Sequence, residues 1–125
     1  MDRDGVMTWV DGYEQAWRAS DTGAVARLFA PGATYRRSPV EPPITGLPAI
    51  EAIWAEDDGH AFEVSAQPVA VDGAVAVVRV QVRYAQPPQE YVDLWLLRFA
   101  DDGRVAEFEE WPYWPGRGYT AAQER

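Results

Sequence analysis

Cysteine is absent from the 125 residues, which excludes disulfides, thiolate metal sites and a cysteine nucleophile. Histidine occurs once, as His60. No apolar run reaches the length that spans a bilayer. The opening Met1-Asp2-Arg3-Asp4 lacks the basic and hydrophobic segments of a signal peptide, so a cytoplasmic location is the default expectation. Positive charge is scarce: 11 Lys and Arg stand against 20 Asp and Glu, a net charge of -9. That balance argues against nucleic acid, whose phosphates demand a basic face, and against an anionic membrane surface. The sequence holds no zinc motif, phosphate loop or dinucleotide fingerprint. Glu56, Asp57 and Asp58 lack the ligand spacing of a calcium loop. No metal and no cofactor is therefore expected, and His60, in its acidic loop, reads as a solvated side chain.

What is present is a globular composition, 47% hydrophobic, with six Trp and six Tyr. A chain of this length fits one domain over residues 1–125 with a core of its own. Aromatics at this density suit a pocket for a flat or greasy molecule, a contact surface, or an ordinary core. Helical spacing comes first. Trp9, Tyr13, Ala16 and Trp17 recur at steps of three and four over residues 7–19. Ser20-Asp21 offers a cap for a second, short helix with Val25, Leu28 and Phe29 facing in, and Pro31-Gly32 should stop it. Residues 33–37 read as a short strand before a proline-rich loop. Pro48 opens a third helix whose buried stripe is Ile50, Ile53 and Trp54.

From Ala61 the period changes to two. Residues 62–71 form one strand, and Asp72-Gly73 marks a turn. Val78, Val80, Val82 and Tyr84 share a face of the next. Tyr91, Asp93, Trp95, Leu97 and Phe99 share a face of the one after, with Val92, Leu94, Leu96 and Arg98 opposite. Helices followed by an antiparallel meander give the α+β class, with helices packed on one sheet face. The other face of the Tyr91–Phe99 run is then left apolar, and a second copy of the chain is its simplest cover. Arg79 and Arg83 are expected to meet Glu107 and Glu109 on that outer face.

The final strand carries most of the chemistry. Residues 105–115 pack three carboxylates beside Phe108, Trp111, Tyr113 and Trp114. Alternation puts Ala106, Phe108 and Glu110 on one face and Glu107, Glu109 and Trp111 on the other. Ala106 and Phe108 read as core, so Glu110 is the acid carried inward, and a buried acid is costly unless it is paired, neutralised or used. Asp93 approaches the same interior from the adjoining strand. Two acids there can divide acid and base roles, one pKa being raised by burial and repulsion.

The stretch from Tyr13 to Trp17, Asp21, the run from Leu28 to Thr34, Thr45-Gly46, Ala49-Ile50 and the turn from Leu97 to Val105 resemble the NTF2-like superfamily. That superfamily includes the ketosteroid isomerases and the SnoaL-like polyketide cyclases. The likeness covers nearly the whole chain and implies a cone: a curved antiparallel sheet wrapped around N-terminal helices with an internal pocket. It also places Tyr13 where the isomerases carry the tyrosine that donates to an enolate oxygen. Arg37 or Ser38 stands in the stretch of their catalytic aspartate, and Trp95 where their protonated aspartate would be, so steroid isomerisation by that mechanism is not expected. Glu110 falls near the acid that epoxide hydrolases of this fold carry on the last strand, without their complete Asp-Arg-Asp arrangement. Fold does not fix chemistry.

The expectation is a cofactor-free enzyme of SnoaL-like type, acting on a hydrophobic, oxygenated small molecule by acid–base proton transfer: isomerisation, cyclisation, dehydration or epoxide hydrolysis. Glu110, Tyr13 and Asp93 are the candidate catalytic residues, and Trp17, Tyr35, Arg37, Trp54, Trp95 and Phe108 the candidate substrate contacts. A homodimer through the outer sheet face is the expected assembly. The alternative is a non-catalytic module that uses the same pocket to hold a hydrophobic ligand, or that docks another protein.

Overall fold

A computed structural model describes residues 1–56, 62–86 and 88–116. His60 and its neighbours Asp57 and Asp58 lie outside the described residues. Helix α1 spans Arg3–Ala19, four residues earlier than the apolar stripe alone marks, because the Asp2 carboxylate caps it by accepting from the Gly5 N–H at 2.8 Å. A 3-10 turn (Thr22–Ala24) leads into the short α2 (Val25–Leu28). Strand β1 (Phe29–Arg36) follows at once, so Pro31-Gly32 lies inside the strand rather than after the helix. The pairing register shifts between Phe29 and Thr34, and this irregular stretch accommodates the proline. The two-residue β2 (Ile44–Thr45) precedes α3 (Leu47–Ala55), which has Pro48 in its first turn. Gly46 makes the entry at φ 92°, a conformation that a side chain would strain.

Four long strands complete the chain: β3 (Phe62–Asp72), β4 (Val75–Tyr84), β5 (Gln89–Phe99) and β6 (Val105–Tyr113). They pair antiparallel in sequence order, and the six-stranded sheet runs β2-β1-β6-β5-β4-β3. The meander is the expected one. β1, however, joins β6 in parallel, which makes the sheet mixed. The buried alternation of β4 (Ala76, Val78, Val80, Val82) and β5 (Asp93, Trp95, Leu97, Phe99) turns one concave face toward α1 and α3.

On β6 the core pattern departs from simple alternation. Val105 is fully buried while Ala106 is only half-buried, because the β5–β6 register shifts between Arg98 and Phe99. Beyond that bulge the alternation resumes, so Phe108 and Glu110 do share the inner face, opposite Leu97 and Trp95. The outer-face acids take partners other than those expected: Arg98 Nε lies 2.6 Å from Glu107, and Arg36 Nε 3.7 Å from Glu109. Arg83 pairs with Glu90 at 3.2 Å.

Candidate functional site

Aromatic packing builds the floor before any polar group matters. Tyr13, on the buried stripe of α1, lies 4.8 Å from the Trp95 ring, 5.0 Å from Trp54 and, stacked at 4°, 5.7 Å from Phe108. Tyr35 on β1 also stacks on Phe108, at 4.6 Å. Each such pair adds roughly 0.5–1.5 kcal/mol beyond area burial. Rings of this size cannot fill the concave face completely, and a cavity of about 350 Å³ remains.

Eight of the nine candidate site residues line that cavity: Tyr13, Trp17, Tyr35, Arg37, Trp54, Asp93, Trp95 and Glu110. Phe108 does not. It is 1% exposed and supports the tyrosines from within the core. Ser20, Ile53, Glu56, Tyr84 and Tyr91 also line the space and were not singled out from sequence. A signal existed for two of them: Tyr84 continues the buried face of β4, and Tyr91 that of β5. Trp114 packs on Tyr91 at 4.4 Å, which ties the end of β6 to the cavity wall.

The acids meet as register demands. Trp95 pairs with Glu110 and Asp93 with Pro112, so Asp93 and Glu110 are diagonal neighbours on one face. Asp93 is 1% exposed, the one buried charged residue among those described. The Trp95 Nε1–H donates to its Oδ2 at 3.0 Å. Asp93 also meets the Glu110 carboxyl, and no fixed N–H or hydroxyl among the described residues donates to its Oδ1, so the proton held with Glu110 is left as that oxygen's donor. Glu110 is less enclosed and reaches the cavity.

Burial raises both acids. Asp93 is held to about 6, its rise limited first by the Trp95 hydrogen bond. Glu110 is pushed further, to about 9, by burial and then by the negative charge of Asp93, with Arg37 pulling weakly the other way. The two titrations belong to the pair, which at neutral pH holds one proton and one negative charge between its carboxyls, with Glu110 the more strongly raised. Burial also raises the Tyr13, Tyr35 and Tyr91 phenols above their ordinary value, so all three stay protonated. The Tyr13 and Tyr35 hydroxyls lie 3.3 Å apart and can pass one donor toward the cavity. At the rim, Arg37 lies 3.8 Å from Glu56, with both side chains well exposed. Arg37, one residue past β1, lines the cavity with Tyr35, but Glu110 is governed by Asp93 rather than pinned by Arg37.

A stability consequence follows with a definite sign. Between the ordinary glutamic acid value of 4.5 and about 9, folded Glu110 keeps a proton that the unfolded chain releases. Stability from this group is thus fully present below 4.5 and declines as pH rises toward 9. Glu110→Gln should therefore raise the urea midpoint at pH 8 more than at pH 5. Equal changes at both pH values would mean that Glu110 titrates as a free carboxylate.

Residues 10–108 match the profile of the family described as the SnoaL-like domain. No match was found among curated protein sequences. Among solved structures, an NTF-2 like protein of unknown function from Burkholderia xenovorans LB400 superposes with a TM-score of 0.72 at 15% identity, over 97% of this chain and 91% of its own. An LEH-like epoxide hydrolase from M. tuberculosis gives 0.70 at 16% identity, over 87% and 79%. A steroid delta-isomerase from Pseudomonas aeruginosa gives 0.63 at 23% identity, over 87% and 80%. At these identities the likeness is one of fold, and it agrees with the curved sheet and cavity described above.

Proposed function

We propose, for a chain that belongs to the SnoaL-like domain family, that the cavity performs cofactor-free proton transfer on a hydrophobic, oxygenated small molecule. The observation that carries this reading is the Asp93–Glu110 pair, two enclosed acids that hold one proton between them inside an aromatic wall. Glu110 reaches the cavity and is the group that touches substrate. Asp93, more deeply buried in the same wall, tunes it. Glu110 gives its proton to a substrate oxygen, and because a second charge beside ionised Asp93 is penalised, it promptly reclaims one from the same molecule or from attacking water. The enzyme ends as it began. Isomerisation, cyclisation, dehydration and hydrolytic ring opening all share this balance. Tyr13, backed by Tyr35, donates to the oxygen on which negative charge develops.

The test is incubation with hydrophobic epoxides, enones and hydroxyketones in D₂O, followed by NMR. Consumption, or solvent deuterium entering a carbon position, supports the reading. A ligand that binds and persists without exchange points instead to the binding module.

The assembly reading rests on the outer face of β5. Val92, Leu94 and Leu96 are only half-buried there, with Leu94 opposite Trp111, and the Arg98–Glu107 and Arg36–Glu109 pairs stand beside them. We propose that a second copy covers this strip. Leu94→Glu should then convert a dimer to a monomer in light scattering at micromolar concentration, because a desolvated carboxylate opposes an apolar partner. A wild-type chain that is already monomeric there would remove the proposal.

A further inference from the structure

The cavity that carries the proposed chemistry has an unbalanced charge. Among the described residues Arg37 is its one lining cation, and Glu56 already engages that guanidinium at 3.8 Å on the rim. Inside the rim the ionisable groups are Asp93, Glu110 and the phenols of Tyr13, Tyr35, Tyr84 and Tyr91, of which burial keeps Tyr13, Tyr35 and Tyr91 protonated. Among the described residues no cation lies inside the rim, and Arg37 at the rim pulls only weakly on Glu110. The walls are aromatic, with Trp17, Trp54 and Trp95 lining the space, and an ammonium that meets a ring face there gains a cation–π contact. No fixed N–H or hydroxyl among the described residues donates to the buried Asp93 Oδ1, which has only the proton held with Glu110. The chain as a whole is at -9, so the long-range field also favours positive ligands.

We propose that the substrates of this cavity carry a protonated amine beside their apolar rings, the ammonium being drawn to the Asp93–Glu110 pair between the surrounding aromatic faces. A volume of about 350 Å³ accommodates a one- or two-ring amphipathic amine. This inference rests on the proton-transfer reading and sharpens it. An ammonium near Asp93 offsets the charge that makes Glu110 hold its proton so tightly, and moves Glu110 toward neutrality, where giving and reclaiming a proton are most nearly balanced. A carboxylate-bearing ligand has a weaker case. It would have to displace Glu56 from Arg37 and then lie near ionised Asp93.

Tryptamine, tryptophol and indole-3-acetate share one ring system and present a cation, a neutral hydroxyl and an anion. Calorimetric titration of the wild-type protein at pH 7.5 should show tryptamine binding about tenfold or more tightly than tryptophol, with indole-3-acetate weakest. The preference should widen as pH rises through the titration of Asp93 near 6 and on toward that of Glu110 near 9. Near pH 7.5 the heat of tryptamine binding should also vary with the buffer's ionisation enthalpy, because a proton leaves the pair. Asp93→Asn, which keeps an acceptor for the Trp95 N–H, should erase most of the preference in a protein with unchanged near-ultraviolet dichroism. Tryptophol binding as tightly as tryptamine, indole-3-acetate binding best, or no tryptamine binding at millimolar concentration would each overturn the proposal. None of these outcomes bears on whether Glu110 transfers protons to a neutral substrate, which the deuterium-exchange experiment reads separately.

Discussion

Glu110→Gln is expected to lower turnover by roughly 10²–10⁴-fold while leaving the fold and ligand affinity near their wild-type values. The reason lies in the protonation state. At neutral pH Glu110 is uncharged, raised to about 9 by burial and by Asp93, so a neutral amide of the same shape replaces it with little loss of packing. The amide can still donate a hydrogen bond to a substrate oxygen, but it cannot surrender the proton. A loss in kcat with KM nearly unchanged would mark an interaction needed only in the transition state. Removal of the acid should also flatten the alkaline limb of the pH–rate profile. Near-normal kcat in a folded Glu110→Gln protein would sink the assignment and move the chemistry to Asp93 or to no residue at all.

Phe108→Ala is expected to cost about 3–5 kcal/mol of unfolding free energy, from the transfer of a large ring and the cavity it leaves. Phe108 is 1% exposed and stacks on Tyr35 at 4.6 Å and Tyr13 at 5.7 Å. Trp95 and Phe29 also abut it, at 5.3 and 6.1 Å. Four large neighbours drawn from α1, β1 and β5 cannot all collapse into the space. Against a typical total of about 5–15 kcal/mol, such a loss consumes a large fraction of the stability. Tyr13 and Tyr35 lose their common support, so ligand affinity should fall together with stability. Phe108→Leu retains much of the volume and should cost much less in both respects. Chemical denaturation of the three proteins measures the series, and a Phe108→Ala cost below about 1 kcal/mol would contradict the core placement.

These two residues sit two apart on β6, share a face and have opposite uses, and sequence parity alone brought them together. The inward direction of Glu110 and Asp93 was legible because a strand's alternation is a local property of the backbone. The same periodicity marked β3, β4 and β5, and helical spacing marked the Tyr13–Trp17 stripe. The likeness of the Leu28–Thr34 run and its companions to the NTF2-like superfamily carried the fold further than periodicity could. Phe108 was read as a substrate contact because an inward aromatic looks the same from sequence whether it faces a void or another ring.

Other features depend on where distant segments meet. The parallel β1–β6 pairing and the bulge that puts Val105 rather than Ala106 in the core are matters of register between strands far apart in the chain. So are the ion pairs of the outer face, which joined Arg98 to Glu107 and Arg36 to Glu109. Tyr84 and Tyr91 became cavity walls only once β4, β5 and α3 were set side by side.

By itself, then, the sequence determined which side chains point inward and in what class of fold, since periodicity and composition act over a few neighbouring residues. Tertiary structure alone decided that the pair keeps a proton at neutral pH. Asp93 owes its lower value to the Trp95 N–H, and Glu110 its higher one to burial beside a charged neighbour. A pKa is set by solvent exclusion and by charges a few ångströms away, and both exist only after the strands have paired.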